Sequence, residues 1–479
     1  MDTSDILASD LKPLVVDLDG TLVRTDLLHE SFFNSFPYGL KSGAEVINAL
    51  FSCRALLKYR LAEASRLDYS TLPYDNQVLD QIRAAKEEGR QIFLATASDA
   101  KHARAICDHL GVFDGWFASD GKTNLSAERK AAALVAKFGE NGFDYIGNGA
   151  ADMPVWERAD KAYAVGLSSS QKGRLRAMKG DFVTLQRSSA NWKIWLKALR
   201  YHQYVKNLLI FVPLLTSHQF NPATILKAVI AFVGFCACAS AVYILNDLLD
   251  LQSDRAHPRK RNRPFASGAL SLSAGMIVCP ALLLFAAIVA LQISREFFAA
   301  LAGYFVLTTA YSLYLKRKML VDVVVLAMLY AARIVAGGVA AGIPISQWLF
   351  IFSIFMFTSL ALIKRYVELS TRLDRGLPER SDRNYRVSDL DIVAALAAAA
   401  GMNAITIFSL YVTSPDVQVL YRNPKALWLI CPILLYWIGR ALMMAHRRHM
   451  DDDPIVFALR DRISMLAIAT IVAIVIFAM

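Results

Sequence analysis

Through the first 190 residues, apolar positions come in short runs broken by charges, as in a soluble domain; from about Val205 onward they come in long, nearly uncharged stretches. About nine such stretches can be marked, at 205–217, 225–246, 274–292, 297–315, 321–341, 345–363, 391–412, 425–444 and 463–478. Several approach the roughly 20 residues a helix needs to cross a bilayer. Runs such as MIVCPALLLFAAIVALQI and MLAIATIVAIVIFAM argue against a large soluble helical protein. The expected layout is an α/β domain over 1–170, a linker with an interfacial amphipathic helix over 171–200, and an all-α, nine-helix transmembrane bundle over 201–479. The linker helix is read from ANWKIWLKALRYHQYVKN, which sets Trp192, Trp195 and Leu199 against Lys193, Lys197 and Arg200. The first residues, MDTSDILASDLK, are acidic and carry no apolar core of a signal peptide.

Within the first domain, PLVVDLDGTLV is an apolar strand that ends in two carboxylates and a glycine turn. A carboxylate that attacks phosphorus needs a second carboxyl to protonate the leaving oxygen and a metal to offset the charge between two anions. The D-x-D-G-T pattern resembles the haloacid dehalogenase (HAD) superfamily over about residues 13–165. The resemblance implies a Rossmann-like sheet, with Asp17 as nucleophile and Asp19 as acid and base. It also implies phosphate contacts from Thr96, with Ser98 as fallback, and from Lys130, with Lys122 as runner-up. FDYIGNGAAD matches the superfamily's acidic metal motif, except that Asn148 stands where the first acid is expected; Asp152 is retained. The implied magnesium ligands are Asp17, Asp19, Asn148 and Asp152, one charge short, and the domain could instead be an idle binding module. The insertion over about 26–76 is expected to form a small helical cap, and DFVTL a last strand.

The net charge of +11 sits largely in alternate loops of the apolar half. One side holds Arg255, Arg259, Lys260, Arg261, Arg263, Lys316, Arg317, Lys318, Lys364, Arg365, Arg372, Arg375, Arg380, Arg383, Arg386, Arg447, Arg448 and Arg460, the other little beyond Arg295, Arg422 and Lys425. The asymmetry places the N-terminal domain in the cytoplasm; a bacterial inner membrane is the expected location of the bundle, and no nucleic-acid partner is expected. The six cysteines lack zinc-like spacing, and no oligomeric state is implied.

Directly after the second apolar stretch comes NDLLDLQSDRAHPRKRNRP. Asp247, Asp250 and Asp254 are spaced to share one face of a helix, where three carboxylates call for a hard divalent cation, magnesium above all. Acids at the end of a membrane helix are costly and by default functional. With Asn246, this N-D-x-x-D-x-x-x-D stretch resembles the UbiA superfamily of membrane prenyltransferases. In that superfamily the aspartates hold magnesium on a diphosphate leaving group, and a second motif is matched by Tyr311, Lys316 and Asp322. Leu326 stands where relatives that prenylate aromatic acceptors carry a second acid.

HPRKRNRP, RIVAGGVAAGIPIS, KRYVEL, ALRDR and HQYVKN resemble decaprenyl-phosphate phosphoribosyltransferases. The resemblance implies phosphoribosyl pyrophosphate as donor and a polyprenyl phosphate as acceptor. Such a site needs many fixed cations, and the candidates are Lys206, Arg255, Lys260, Arg261, Arg263, Lys316, Arg333, Lys364 and Arg365. The expected reaction moves 5-phosphoribose to the lipid, and the HAD-like domain then removes the 5-phosphate, for cell-envelope glycan precursors. The alternatives are a prenyltransferase acting on an aromatic acceptor and a transporter of phosphorylated lipids.

Overall fold

A computed structural model describes residues 11–35, 54–187, 191–376, 383–450 and 454–479. The middle of the expected cap, 36–53, and the first ten residues lie outside the described residues. The chain divides into two compact units, one of residues 1–201 with 243–280, the other of 202–242 with 281–479.

The first unit is built on a six-stranded sheet: β1 (Leu14–Val16), β2 (Ile92–Asp99), β3 (Gly115–Ser119), β4 (Asp144–Gly147), β5 (Ala162–Val165) and β6 (Val183–Leu185), in the order β3-β2-β1-β4-β5-β6. All pairings are parallel, with Val15 set between Phe93 and Tyr145. A strand covered on both faces must be apolar throughout, and Leu14, Val15 and Val16 are buried accordingly. This is the doubly wound order, in which sites form at the carboxyl ends of strands beside the switch point, here β1 and β4.

The sheet domain runs past residue 170: the helix Ser169–Lys179 buries Leu175, and β6, the strand expected from DFVTL, completes the edge. Helices Leu27–Ser35 and Arg54–Ala64 occupy the described parts of the cap. The amphipathic helix is shorter than expected, Trp192–Leu199, and Arg200 closes it at φ +54°.

Among the described residues, seven helices are long and apolar enough to cross a membrane: Pro222–Leu249, Leu272–Ile293, Arg295–Leu313, Val321–Ala341, Gln347–Asp374, Val387–Thr413 and Pro424–His446. An eighth span would be the pair Pro454–Arg460 and Arg462–Ala478, bent by 82°. Nine were expected, and the difference lies at 205–217, which is a 3₁₀ run, Tyr201–Phe211, followed by the short helix Val212–Ser217. Thirteen residues of helix reach only about 20 Å, short of the ~30 Å hydrocarbon layer. In the second unit, Val323, Tyr330 and Ile334 pack against Phe357, Leu360 and Val367, while Ile210 and Phe235 pack with Phe297, Leu301 and Tyr304.

Candidate active sites

At the carboxyl end of β1 the chain turns sharply, placing Asp17 and Asp19 beside residues from β2 and β4. Asp17 is 6% exposed; Lys130 Nζ donates to its Oδ1 at 2.6 Å and Thr21 Oγ1 to its Oδ2 at 2.9 Å. Burial pushes Asp17 up to about 7, against the pull of the Lys130 ammonium. Asp19 accepts from Leu27 N at 2.8 Å on Oδ1, and from Thr96 Oγ1 at 3.1 Å and Ser98 Oγ at 2.6 Å on Oδ2. Burial, with the neighbouring Asp26 carboxylate, raises Asp19 above the usual range. Both hydroxyls weighed for the phosphate contact therefore meet at one carboxylate.

Asp152 departs from its expected part as a metal ligand. Its Oδ2 accepts Asn148 N at 2.9 Å and Gly149 N at 3.1 Å, and its Oδ1 accepts Tyr145 Oη at 2.8 Å and faces Lys130 Nζ at 3.5 Å. Both oxygens are saturated, so Asp152 anchors the β4 turn and Lys130 instead. Tyr145, which also accepts from Lys130 at 3.0 Å, carried no sequence signal beyond an aromatic in a strand. The Asn148 amide lies so close to Gly20 (φ +76°) that a Cβ there would come within 2.2 Å of its nitrogen. Asp17, Asp19 and Asn148 remain as oxygen donors, a set that suits magnesium in kind with one charge fewer.

In the same unit, the three aspartates of the N-D-x-x-D-x-x-x-D stretch do not share one uninterrupted helix. The chain loosens at Asp250 between Pro222–Leu249 and Leu251–Ala256, leaving Asp250 half-buried while Asp247 and Asp254 are buried. Arg263 Nη1 joins the two buried acids, 3.2 Å from Asp247 and 2.6 Å from Asp254. Asp247 also receives Arg200, whose guanidinium lies 5.0 Å from the Tyr243 ring centroid. Arg200 was absent from the expected site; a basic residue closing an amphipathic helix gives no sign of a distant carboxylate.

Asp247 and Asp254 thus converge on one cationic nitrogen, and their oxygens are of the kind that suits magnesium. Among the described residues no three His, Cys, Asp or Glu side chains gather closely enough to hold a metal alone. An ion there calls for substrate phosphate oxygens as further ligands. Asn246 contributes its carbonyl to Asp250 N at 2.9 Å; His257 is a turn residue, its Nδ1 accepting Arg259 N at 3.2 Å, and Lys260 is exposed.

In the second unit, buried polar groups gather around Arg333 and around Asp322. Arg333, 4% exposed within its span, donates to Asn207 Oδ1 at 2.9 Å, Tyr304 Oη at 3.0 Å and Leu329 O, with the Phe235, Tyr304 and Tyr330 rings around its guanidinium. None of the described carboxylates pairs with it, and buried Lys206 sits 5.8 Å from the same Tyr330 ring. In the other group, Asp322 accepts Tyr385 Oη at 2.7 Å and lies 3.6 Å from Arg365 Nε. Arg365 also pairs with Glu368, and Arg383 bridges Glu368 (3.5 Å) to the Tyr311 hydroxyl (2.9 Å). Arg365 is 1% exposed, and its Nη2 has no hydrogen-bond partner among the described residues. Lys316 and Lys364 are half-buried at the ends of neighbouring elements.

Residues 208–466 match the model of the UbiA prenyltransferase family. An uncharacterized protein of Sinorhizobium fredii, y4nM, is 39% identical over 470 residues, covering 98% of this chain and 91% of its own. The nodulation protein NoeC of Azorhizobium caulinodans is 36% identical over 277 residues, covering 57% of this chain and 89% of its own. The decaprenyl-phosphate phosphoribosyltransferase of Corynebacterium glutamicum is 36% identical over 219 residues, covering 43% of this chain and 64% of its own.

Proposed function

Because this chain belongs to the UbiA prenyltransferase family, we propose that it transfers 5-phosphoribose from phosphoribosyl pyrophosphate to a polyprenyl phosphate, such as decaprenyl phosphate. The observation that carries the reading is the 36% identity over 219 residues to a protein named for that reaction. The guanidiniums around Asp247 and Asp254 support it, since a donor with a diphosphate and a 5-phosphate needs fixed cations to orient it.

In this reading a lipid phosphate oxygen forms the new bond to ribose C1 as the C1–diphosphate bond breaks, releasing diphosphate. No strong general base is needed, because the lipid phosphate is already an anion. Catalysis is positioning and electrostatics. Magnesium would offset phosphate charge at both sites, held by Asp247, Asp250 and Asp254 in one and by Asp17, Asp19 and Asn148 in the other. Lys260 and Arg263 orient the donor, with Asn246 beside them. Lys206 and Arg333, both buried beside the Tyr330 ring, orient the lipid phosphate. Tyr311, Lys316, Asp322, Lys364 and Arg365 complete the substrate contacts.

The sheet domain then acts as a phosphatase on the lipid-linked phosphoribose, yielding a precursor for cell-envelope glycans. Asp17 attacks phosphorus, Asp19 protonates the departing 5-oxygen and then takes a proton from the water that releases inorganic phosphate, while Thr96 and Lys130 hold the phosphoryl oxygens. The basic loops support a bacterial inner-membrane protein with this domain in the cytoplasm.

The test offers membranes two labelled donors in parallel, phosphoribosyl pyrophosphate with polyprenyl phosphate, and a prenyl diphosphate with an aromatic acid. Label in the lipid from the first donor alone supports the proposal. Label in the aromatic acid from the second replaces it with aromatic prenyl transfer.

A further inference from the structure

The cleft beside Asp19 is larger than a phosphoryl group needs. It measures about 760 Å³, within the range of roughly 300–1,000 Å³ that takes a whole small ligand. Asp19 and Asn148 line it together with three cations, Arg24, Lys172 and Arg187. Two of these are fixed in place: Arg24 Nε and Arg187 Nη2 each donate to Asp75 Oδ2 at 3.1 Å, and Arg187 Nη1 donates to Gly20 O at 2.8 Å. Thr96 and Lys130, the contacts for the reacting phosphoryl group, are not part of this lining. The cleft's cations are therefore additional to that group.

One wall comes from far along the chain, from residues of the 268–273 segment. This wall is a built feature. Gly268 (φ +68°) lies so close to Arg24 that a Cβ would meet Arg24 Cβ at 2.6 Å. Arg255 Nε holds Ala266 O at 2.8 Å just before it. Leu272, in the wall itself, begins the apolar helix Leu272–Ile293, long enough to cross a membrane. A ligand in the cleft thus touches the chain where it enters the apolar phase.

We propose that this cleft binds the polar end of a lipid-linked sugar phosphate, with Arg24, Lys172 and Arg187 facing its phosphodiester and the lipid leaving past the 268–273 wall. The inference rests on the phosphatase reading above, and it adds a second anion-recognition point and a wall that select lipid-linked over small phosphomonoesters.

The test compares the full-length protein with Lys172→Glu and Ala269→Trp on two esters, p-nitrophenyl phosphate and polyprenyl-phosphoryl 5-phosphoribose, with magnesium present. Lys172 and Ala269 are both exposed, so the substitutions leave the core intact. Ala269→Trp is expected to lower kcat/KM on the lipid-linked ester about tenfold, and Lys172→Glu to raise its KM about fivefold, each leaving the small ester within about twofold. Equal losses on both esters, or no loss on the lipid-linked one, overturn the inference while the phosphatase reading stands. Hydrolysis of neither ester by the unsubstituted protein, with phosphoribose transfer intact, overturns the phosphatase reading and this inference with it.

Discussion

Arg255 and Glu30, 225 positions apart, form a buried two-pronged ion pair: Nη2 meets Oε1 at 2.6 Å and Nη1 meets Oε2 at 3.0 Å, with the side chains 3% and 1% exposed. Glu30 also accepts Thr25 Oγ1 at 2.7 Å. Arg255 follows Asp254 of the N-D-x-x-D-x-x-x-D stretch, while Glu30 lies on the helix whose Leu27 N holds Asp19. The pair therefore ties the flank of one candidate site to the flank of the other.

Removing one partner leaves the other charged and buried. Glu30→Ala or Arg255→Ala is expected to destabilise the first unit by about 3–5 kcal/mol. Glu30→Leu with Arg255→Met together should cost less than either alanine variant. Pulse proteolysis in urea reads all three, and losses below about 1 kcal/mol in both single variants would contradict the account.

His102 supplies a pH dependence. It is buried between Ser31 Oγ (3.0 Å from Nε2) and Tyr69 Oη (2.9 Å from Nδ1), and burial, with the adjacent Lys101 charge, lowers it from 6.5 to about 4. The folded value lies below the unfolded one, so its contribution is full above pH 6.5 and is lost as pH falls toward 4. The loss should be on the order of 3 kcal/mol. Unfolding midpoints of the native protein and His102→Asn across that range measure it; the variant should show a flatter profile.

Arg263 is expected to matter to transfer and not to small-ester hydrolysis. Arg263→Gln removes the nitrogen shared by Asp247 and Asp254 and should lower phosphoribose transfer about 100-fold. Hydrolysis of p-nitrophenyl phosphate at the Asp17 site should stay within about twofold. Parallel assays of the two activities on one preparation check the separation.

Arg333→Lys keeps the charge and loses the planar fork that reaches Asn207, Tyr304 and Leu329 O within a cage of rings. The substitution is not conservative at such a site. Transfer should fall about tenfold or more, with a raised KM for the lipid phosphate; unchanged kinetics would remove Arg333 from the site.

Signals that are local in sequence were legible. The apolar strand ending at Asp17 and Asp19, the long apolar stretches of the membrane helices and the departure at Asn148 can all be seen in short windows. What failed depended on distance or on backbone detail. The partners Arg200–Asp247, Arg255–Glu30 and Arg187–Asp75 are set by tertiary packing, and nothing near any of these residues announces the other. Hydropathy marked 205–217 as a span because it registers composition and not the backbone, which there is a 3₁₀ run ending before Pro213. The i, i+3, i+7 spacing of the aspartates suggested one helical face, but the helix loosens at Asp250 and brings only Asp247 and Asp254 onto Arg263.

The central claim is tested most directly by the mass of the lipid extracted after membranes containing the protein are supplied with magnesium, polyprenyl phosphate and phosphoribosyl pyrophosphate. The account predicts polyprenyl phosphate heavier by a phosphoribosyl group with Asp17→Asn, and by a ribosyl group with the native protein. Polyprenyl phosphate of unchanged mass in both preparations would contradict it.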